Sequence, residues 1–147
     1  MLNRKIIRKS NAKDLRSLYQ IEKDVFDSEH WTYSMVANEL MNGPGKATWV
    51  IEQPPNILGY CMTRSFGNEV NILNMAIESS SQGKGVGRSL LEYVLSQVPT
   101  KSSVFLEVKQ GNLSAIKLYK SLGFQEISVR SSYYKDGTSA LVMCLEH

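Results

Sequence analysis

Between Val70 and Val98 the chain passes from an apolar β-rich run, through Gly83-Lys84-Gly85-Val86-Gly87, into an amphipathic helix. That succession constrains the fold more than any other stretch. Three glycines free the backbone of Cβ atoms just where a helix begins, so several N–H groups can converge on an anion that the helix dipole already favours. The helix carries Leu90, Leu91, Val94, Leu95 and Val98 on one face and stops at Pro99. The same residues also suit a flexible turn, but a position after a strand and before a helix favours a phosphate cradle.

The spacing excludes two nucleotide-binding patterns. A dinucleotide fingerprint would place Arg88 at its third glycine, and the loop follows a late strand instead of opening an N-terminal βαβ unit. A Walker loop needs Ser or Thr after its Lys, whereas Lys84 stands between glycines.

Around this unit the pattern alternates. Arg4–Lys9 reads as a short strand, and Asn11 caps a helix carrying Leu15, Leu18, Tyr19, Glu22, Val25 and Phe26, with Glu22 the one polar member of its stripe. Thr32 caps a second helix through Leu40, stopped by Asn42-Gly43-Pro44-Gly45. Ala47–Glu52 and Ile57–Arg64 form a hairpin around Pro54-Pro55, and Val70–Ile77 is the strand before the loop. Ser103–Lys109 is another strand. Asn112 caps a helix with Ala115, Ile116, Leu118, Tyr119 and Leu122, which Gly123 closes with Phe124 packing back on Tyr119. Gln125–Tyr134 and Ser139–Leu145 finish as two strands. The order β-α-α-β-β-β-α-β-α-β-β predicts a mixed α/β domain.

At 147 residues, residues 1–147 are expected to form one domain. A net charge of +3 gives little ground for nucleic-acid binding. Cys61 and Cys144 lie far apart and His30 and His147 are the only histidines, so no zinc cluster and no metal is expected. No run nears the ~20 apolar residues of a membrane span, and no signal peptide is evident, so the cytoplasm is the expected compartment.

Gln82-x-x-Gly85-x-Gly87 resembles the Q-x-x-G-x-G/A signature of the GNAT superfamily of acetyl-CoA-dependent N-acyltransferases. The resemblance extends through Asn74-Met75-Ala76-Ile77, Leu106-Glu107-Val108-Lys109 with Asn112, Leu118-Tyr119-x-x-Leu122-Gly123-Phe124 and Arg130-x-x-Tyr133-Tyr134, and is similar to the ribosomal-protein-alanine N-acetyltransferase group. It implies a mostly antiparallel sheet of about seven strands flanked by about four helices, with a splayed parallel pair at the acetyl-CoA site. It also implies that Met75, Ala76 and Ile77 bond the pantetheine arm, that Gly83, Lys84, Gly85, Val86, Gly87 and Arg88 hold the pyrophosphate with Gln82 also at the cofactor site, and that Asn112 contacts the arm from the other side. The expected acceptor is a protein N-terminus, and the chain is expected as a monomer or weak dimer. Three departures from the family pattern stand out, at Ser80, at Gly111 and at the pair Thr138-Ser139, the last in the hairpin that shapes the family's acceptor groove.

Acetyl transfer from a thioester to an amine needs a neutral amine, a stabilised oxyanion and a proton for the leaving thiolate. Alternation in Val104–Val108 sets Glu107 opposite Leu106 and Val108, where it is either a general base or a solvated strand carboxylate; the resemblance implies the base. Tyr119 is either a core aromatic or the general acid, and the resemblance implies the acid. Trp31, Tyr133 and Tyr134 are candidate walls of the acceptor site, and Arg130 either pairs with an acid or solvates a strand end. An acetyltransferase of small amines or other protein amines, and a CoA-binding regulatory module, are the alternative functions.

Overall fold

The computed structural model describes residues 4–41 and 43–147. Seven strands form one sheet in the order β1-β2-β3-β4-β5-β7-β6: β1 Ile6–Lys9, β2 Lys46–Gln53, β3 Asn56–Phe66, β4 Glu69–Ile77, β5 Ser103–Lys109, β6 Gln125–Arg130 and β7 Ala140–Glu146. Every neighbouring pair is antiparallel except β4–β5, as the resemblance implied. Four α-helices flank it: α1 Leu15–Phe26, α2 Tyr33–Leu40, α3 Val86–Ser96 and α4 Leu113–Ser121.

The helix ends follow the capping chemistry of the sequence. Asn11 and Asp14 close a reciprocal capping box before α1, although a short 3₁₀ turn at Ala12–Asp14 intervenes. Thr32 Oγ1 accepts the Met35 N–H at 3.1 Å and Asn112 Oδ1 the Ala115 N–H at 3.3 Å. After α4, Phe124 N–H donates to the Tyr119 carbonyl and Gly123 N–H to that of Lys120, the paired bonds of a Schellman ending. Phe124 meets Tyr119 edge-on at 5.9 Å. Asn42, read as part of the α2 stop, lies outside the described residues.

Each face of the sheet buries its own core. On one face Leu90 and Leu91 of α3 pack on Trp49, Cys61, Val70, Ile72, Val104, Leu106 and Met143 of the sheet. Under α1 and α2 lie Leu18, Ile21, Val36, Val50, Tyr60, Met62 and Ala76.

Two irregularities shape what the sheet can do. Thr63 pairs with Ile72 and Met62 with Asn74, so Leu73 is the extra residue of a β-bulge. Side chains packed under α3 and α4 therefore run Val70, Ile72, Met75, Ile77, missing a step at the bulge. The second is a divergence: β4 and β5 pair from Glu69↔Ser103 to Ile72↔Leu106 and no further, although β4 continues to Ile77 and β5 to Lys109.

One predicted strand is too long. Gln125–Tyr134 stops at Arg130, because Ser132 takes a left-handed φ of 51° and the chain turns through residues 134–138, with Tyr134 N–H on the Thr138 carbonyl and Gly137 N–H on that of Tyr134. Tyr133 and Tyr134 thus sit on a loop.

Candidate active site

The glycine loop lies where β4 hands over to α3. Gly83 and Gly85 adopt φ of +76° and +82°, a region costly for residues with a Cβ, and a Cβ at either position would meet nothing within 4 Å. The turn therefore presents bare backbone to open space ahead of the α3 N-terminus, the geometry an anionic ligand needs. Val86 is buried in the core, so only its backbone is available to a ligand. Gln82 Nε2 donates to the Ile77 carbonyl at 2.9 Å, tying the loop to the strand end. Arg88 reaches sideways to Ser121 Oγ on α4 at 2.7 Å and pairs with Glu92 at 3.5 Å. Lys84 is exposed, and Asn112 caps α4.

Met75, Ala76 and Ile77 pair on one side with Cys61, Tyr60 and Gly59 of β3. Their other edge faces the divergence, where β5 no longer pairs with them. A peptide-like chain can add to such an edge as an extra strand.

On the opposite face, α1 and α2 cover β2–β4 but leave the β5–β7–β6 half open. A cavity of about 530 Å³ occupies this space, with Trp31, Asn71, Leu73, Phe105, Glu107 and Tyr133 among its walls. Three residues singled out from the sequence, Trp31, Glu107 and Tyr133, therefore meet in one cavity. Arg130 lines it too, and its Nε stands 2.5 Å from Glu107 Oε2, which resolves its role at the strand end in favour of an acidic partner. Tyr133 has its phenol raised, chiefly by the nearby Glu107 charge, and its ring lies under the Arg130 guanidinium at 5.6 Å.

Tyr134 does not line this cavity. It is half-buried with its ring edge-on to Tyr133 at 5.1 Å, and burial, then Glu107, push its phenol up to about 12. Lys109 Nζ stands over its ring at 5.3 Å and pairs with Asp136 at 2.9 Å. Tyr119, on α4 under the other face, is half-buried; burial, and secondarily Cys61 and Tyr134, lift its phenol above the ordinary value. Tyr134 is thus within electrostatic reach of both Glu107 and Tyr119. The loop bearing it is held by Glu29, whose Oε2 accepts the Lys135 N–H at 3.1 Å, and by Asp136, which accepts both the N–H and the hydroxyl of Thr138.

The sequence reading passed over Asn71, Leu73 and Phe105. Phe105 lies two residues before Glu107 on one strand, so alternation alone placed it on the same face. Among the described residues no group of three or more His, Cys, Asp or Glu could hold a metal, and no helix is long and apolar enough to cross a membrane.

A bulged, diverging parallel strand pair, a glycine turn opening a helix on one face and a carboxylate-walled cavity on the other agree with what comparison with known proteins finds. The profile of the acetyltransferase (GNAT) family matches residues 12–124; the chain belongs to that family and is an acetyl-CoA-dependent N-acetyltransferase. It is 30 % identical over 137 residues to the ribosomal protein bS18-alanine N-acetyltransferase of Escherichia coli (strain K12), covering 90 % of each chain. Its fold is similar to the crystal structure of the ribosomal-protein-S18-alanine N-acetyltransferase from Escherichia coli, with a TM-score of 0.87, 28 % identity and coverage of 97 % and 94 %. The structure of Ard1 from Thermoplasma volcanium is similar too, at TM-score 0.84, 27 % identity and 97 % coverage of both chains.

Proposed function

We propose that the protein moves the acetyl group of acetyl-CoA to the N-terminal α-amine of another protein, an alanine-starting ribosomal protein, in a direct transfer within a ternary complex. The observation that carries this reading is the placement of Glu107 on the wall of an open cavity at the β4–β5 divergence, with the glycine turn serving the other face. Donor and acceptor then approach the same gap from opposite sides. The names of the Escherichia coli relatives support the ribosomal acceptor, and with such an acceptor the reading is of a cytoplasmic enzyme.

The donor side is built from backbone. The turn from Gly83 to Gly87 takes the pyrophosphate, with Lys84 supplying charge beside it, and the free edge of Met75–Ile77 takes the pantetheine amides. Gln82 fixes the loop against Ile77. Arg88 and Asn112 shape the donor site from α3 and α4. When bound, acetyl-CoA supplies the activated acyl carbonyl and a thiolate leaving group.

On the acceptor side Glu107 takes the proton of the attacking amine, directly or through water, while Arg130 and Tyr133 keep its carboxylate turned to the cavity wall. Trp31 and Tyr133 flank the incoming chain, with Tyr134 edge-on against Tyr133 outside the cavity wall. Tyr119 holds its proton throughout the neutral range, because burial disfavours the phenolate. Its proton is therefore in place at neutral pH to pass to the departing thiolate. An α-amine of pKa ~8 is about a tenth neutral at pH 7, against less than about a thousandth for a lysine, so a carboxylate base suffices for it.

The test is mass spectrometry of a peptide panel incubated with acetyl-CoA, varying the first residue and including lysine-only controls with blocked N-termini. A single acetyl group on free Ala-starting peptides is the expected product. Acetylation confined to the lysine controls, or to a small amine, refutes the α-amine assignment.

A further inference from the structure

Glu22 stands in the apolar stripe of α1, 1 % exposed, among Leu18, Ile21, Tyr60, Met62 and Ala76. Oε1 accepts from the Tyr60 hydroxyl of β3 and from Asn74 Nδ2 of β4, the latter at 2.5 Å. Oε2 accepts the backbone N–H of Trp31 at 2.8 Å. A carboxylate taken out of water costs several kcal/mol unless its lone pairs find donors, and an apolar side chain of similar size commonly packs such a site equally well. Packing alone therefore gives no reason for a glutamate here. What the carboxylate provides is a common acceptor for three segments far apart in sequence.

Two of those segments build the acceptor cavity. Trp31 is one wall, and Asn74 adjoins Leu73, the bulged residue that forms another. The segment before Trp31 is tied to the cavity rim, from Glu29 to the exposed Lys135 N–H, and to α1 through the edge-on contact of His30 with Tyr19; among the described residues the Trp31 carbonyl is engaged by its neighbour His30 at 2.7 Å. We infer that Glu22 is a positioning residue for the acceptor: it fixes Trp31 against the bulge of β4 and so sets the width of the cavity beside Glu107. This inference rests on the assignment of that cavity to the acceptor in the proposed function.

The test uses the pair Glu22→Leu with Tyr60→Phe, which removes the anchor without orphaning the Tyr60 hydroxyl, and Tyr60→Phe alone, which keeps the Trp31 bond. Trp31 and Trp49 are the only tryptophans, so a Trp49→Phe background makes Trp31 the sole indole reporter. Expected for the double variant are a rise of tenfold or more in the acceptor-peptide KM, an acetyl-CoA Kd within twofold of the parent, and at least twofold greater acrylamide quenching of Trp31. Tyr60→Phe alone stays within threefold of the parent on every readout. If the double variant does not fold, Glu22→Asp, one carbon short of the Trp31 N–H, is expected to show the same KM and quenching changes. Overturning results are an acceptor KM within threefold, unchanged Trp31 quenching, or a loss of acetyl-CoA affinity in step with acceptor KM, the mark of a merely structural role. Should the parent acetylate no peptide, the proposed function fails by itself, and Trp31 quenching still decides whether Glu22 holds that wall.

Discussion

Replacing Glu107 by Gln keeps the size of the side chain and removes its capacity to take a proton. General-base catalysis contributes ~10²–10⁴ in rate, and the structure points to the lower end of that range. Glu107 is 30 % exposed on an open cavity, so water can stand in for part of its work. A fall in kcat of about 10², or ~2.7 kcal/mol of barrier, is the expected effect. Stability hardly changes, because the Arg130–Glu107 pair is 60 % and 30 % exposed. Such pairs contribute ~0–1 kcal/mol, which moves the Tm of a domain this size by under ~4 °C. Acetyl-CoA affinity by calorimetry also holds, since the glycine turn serves the other face of the sheet. Raising the pH supplies an internal control: an α-amine of pKa ~8 goes from about a tenth to about nine tenths neutral between pH 7 and pH 9, so alkali restores at most about tenfold of the loss. Steady-state rates on a free Ala-starting peptide at both pH values read all of this. Turnover within threefold of the parent at pH 7, or complete recovery at pH 9, would refute the base role.

Other expectations concern the donor side and the fold. Tyr119→Phe is expected to lower kcat tenfold or more with little change in acetyl-CoA Kd, and because burial raises the phenol, the parent kcat profile shows no Tyr119 limb below pH ~10; a limb between pH 7 and pH 9 that the Phe variant abolishes contradicts this. Gly85→Ala, at φ +82°, is expected to cost ~1–2 kcal/mol of stability and weaken acetyl-CoA binding. In Gly87→Ala the new methyl meets Ile77, Met75 and Leu118 at ordinary distances of 3.4–3.8 Å, so it should bind and unfold nearly as the parent does; equal defects in both variants would remove the special role of the left-handed turn. Asp14 is pushed up by burial but pulled further down by two Arg8 bonds of 2.9 Å and by the Asn11 N–H, so its carboxyl titrates below the unfolded value. Its contribution of ~1–3 kcal/mol is present above pH ~3.9 and fades as the pH falls through the folded pKa. Urea midpoints of Asp14→Asn should accordingly lie below the parent at pH 7 and converge toward it near pH 2; a constant gap contradicts the linkage.

Local chemistry made most elements legible. Ser103–Lys109 is a strand with the bounds its β-rich run suggested, and the caps at Asn11, Thr32 and Asn112 act as their side chains dictate. Glu107 was also placed on the right face, because period-two alternation is a property of one strand. What alternation does not carry is a register slip against a neighbour. The Val70–Ile77 run reads as an even strand, and only its pairing with β3 reveals the extra residue at Leu73. The end of β6 was missed for a related reason: Ser128 to Tyr134 contains no glycine or proline, and the left-handed Ser132 is fixed by the loop's bonds rather than by a residue that requires it. The cavity walls come from the segment between α1 and α2, from β4, β5, β6 and β7 and from the loop after β6, so tertiary assembly brings together what separate patterns only suggested.

The bulge at Leu73 divides a single strand into two stretches with separate duties. Glu69, Asn71 and Leu73 line the cavity beside Glu107, whereas Met75 and Ile77 pack toward α3 and α4, and the slip between them decouples the two sets. On the proposed function, substitutions at residues 69–73 are expected to retune the choice of amine without disturbing the thioester's track. Such modularity lets one scaffold diversify its clientele while its fuel stays the same.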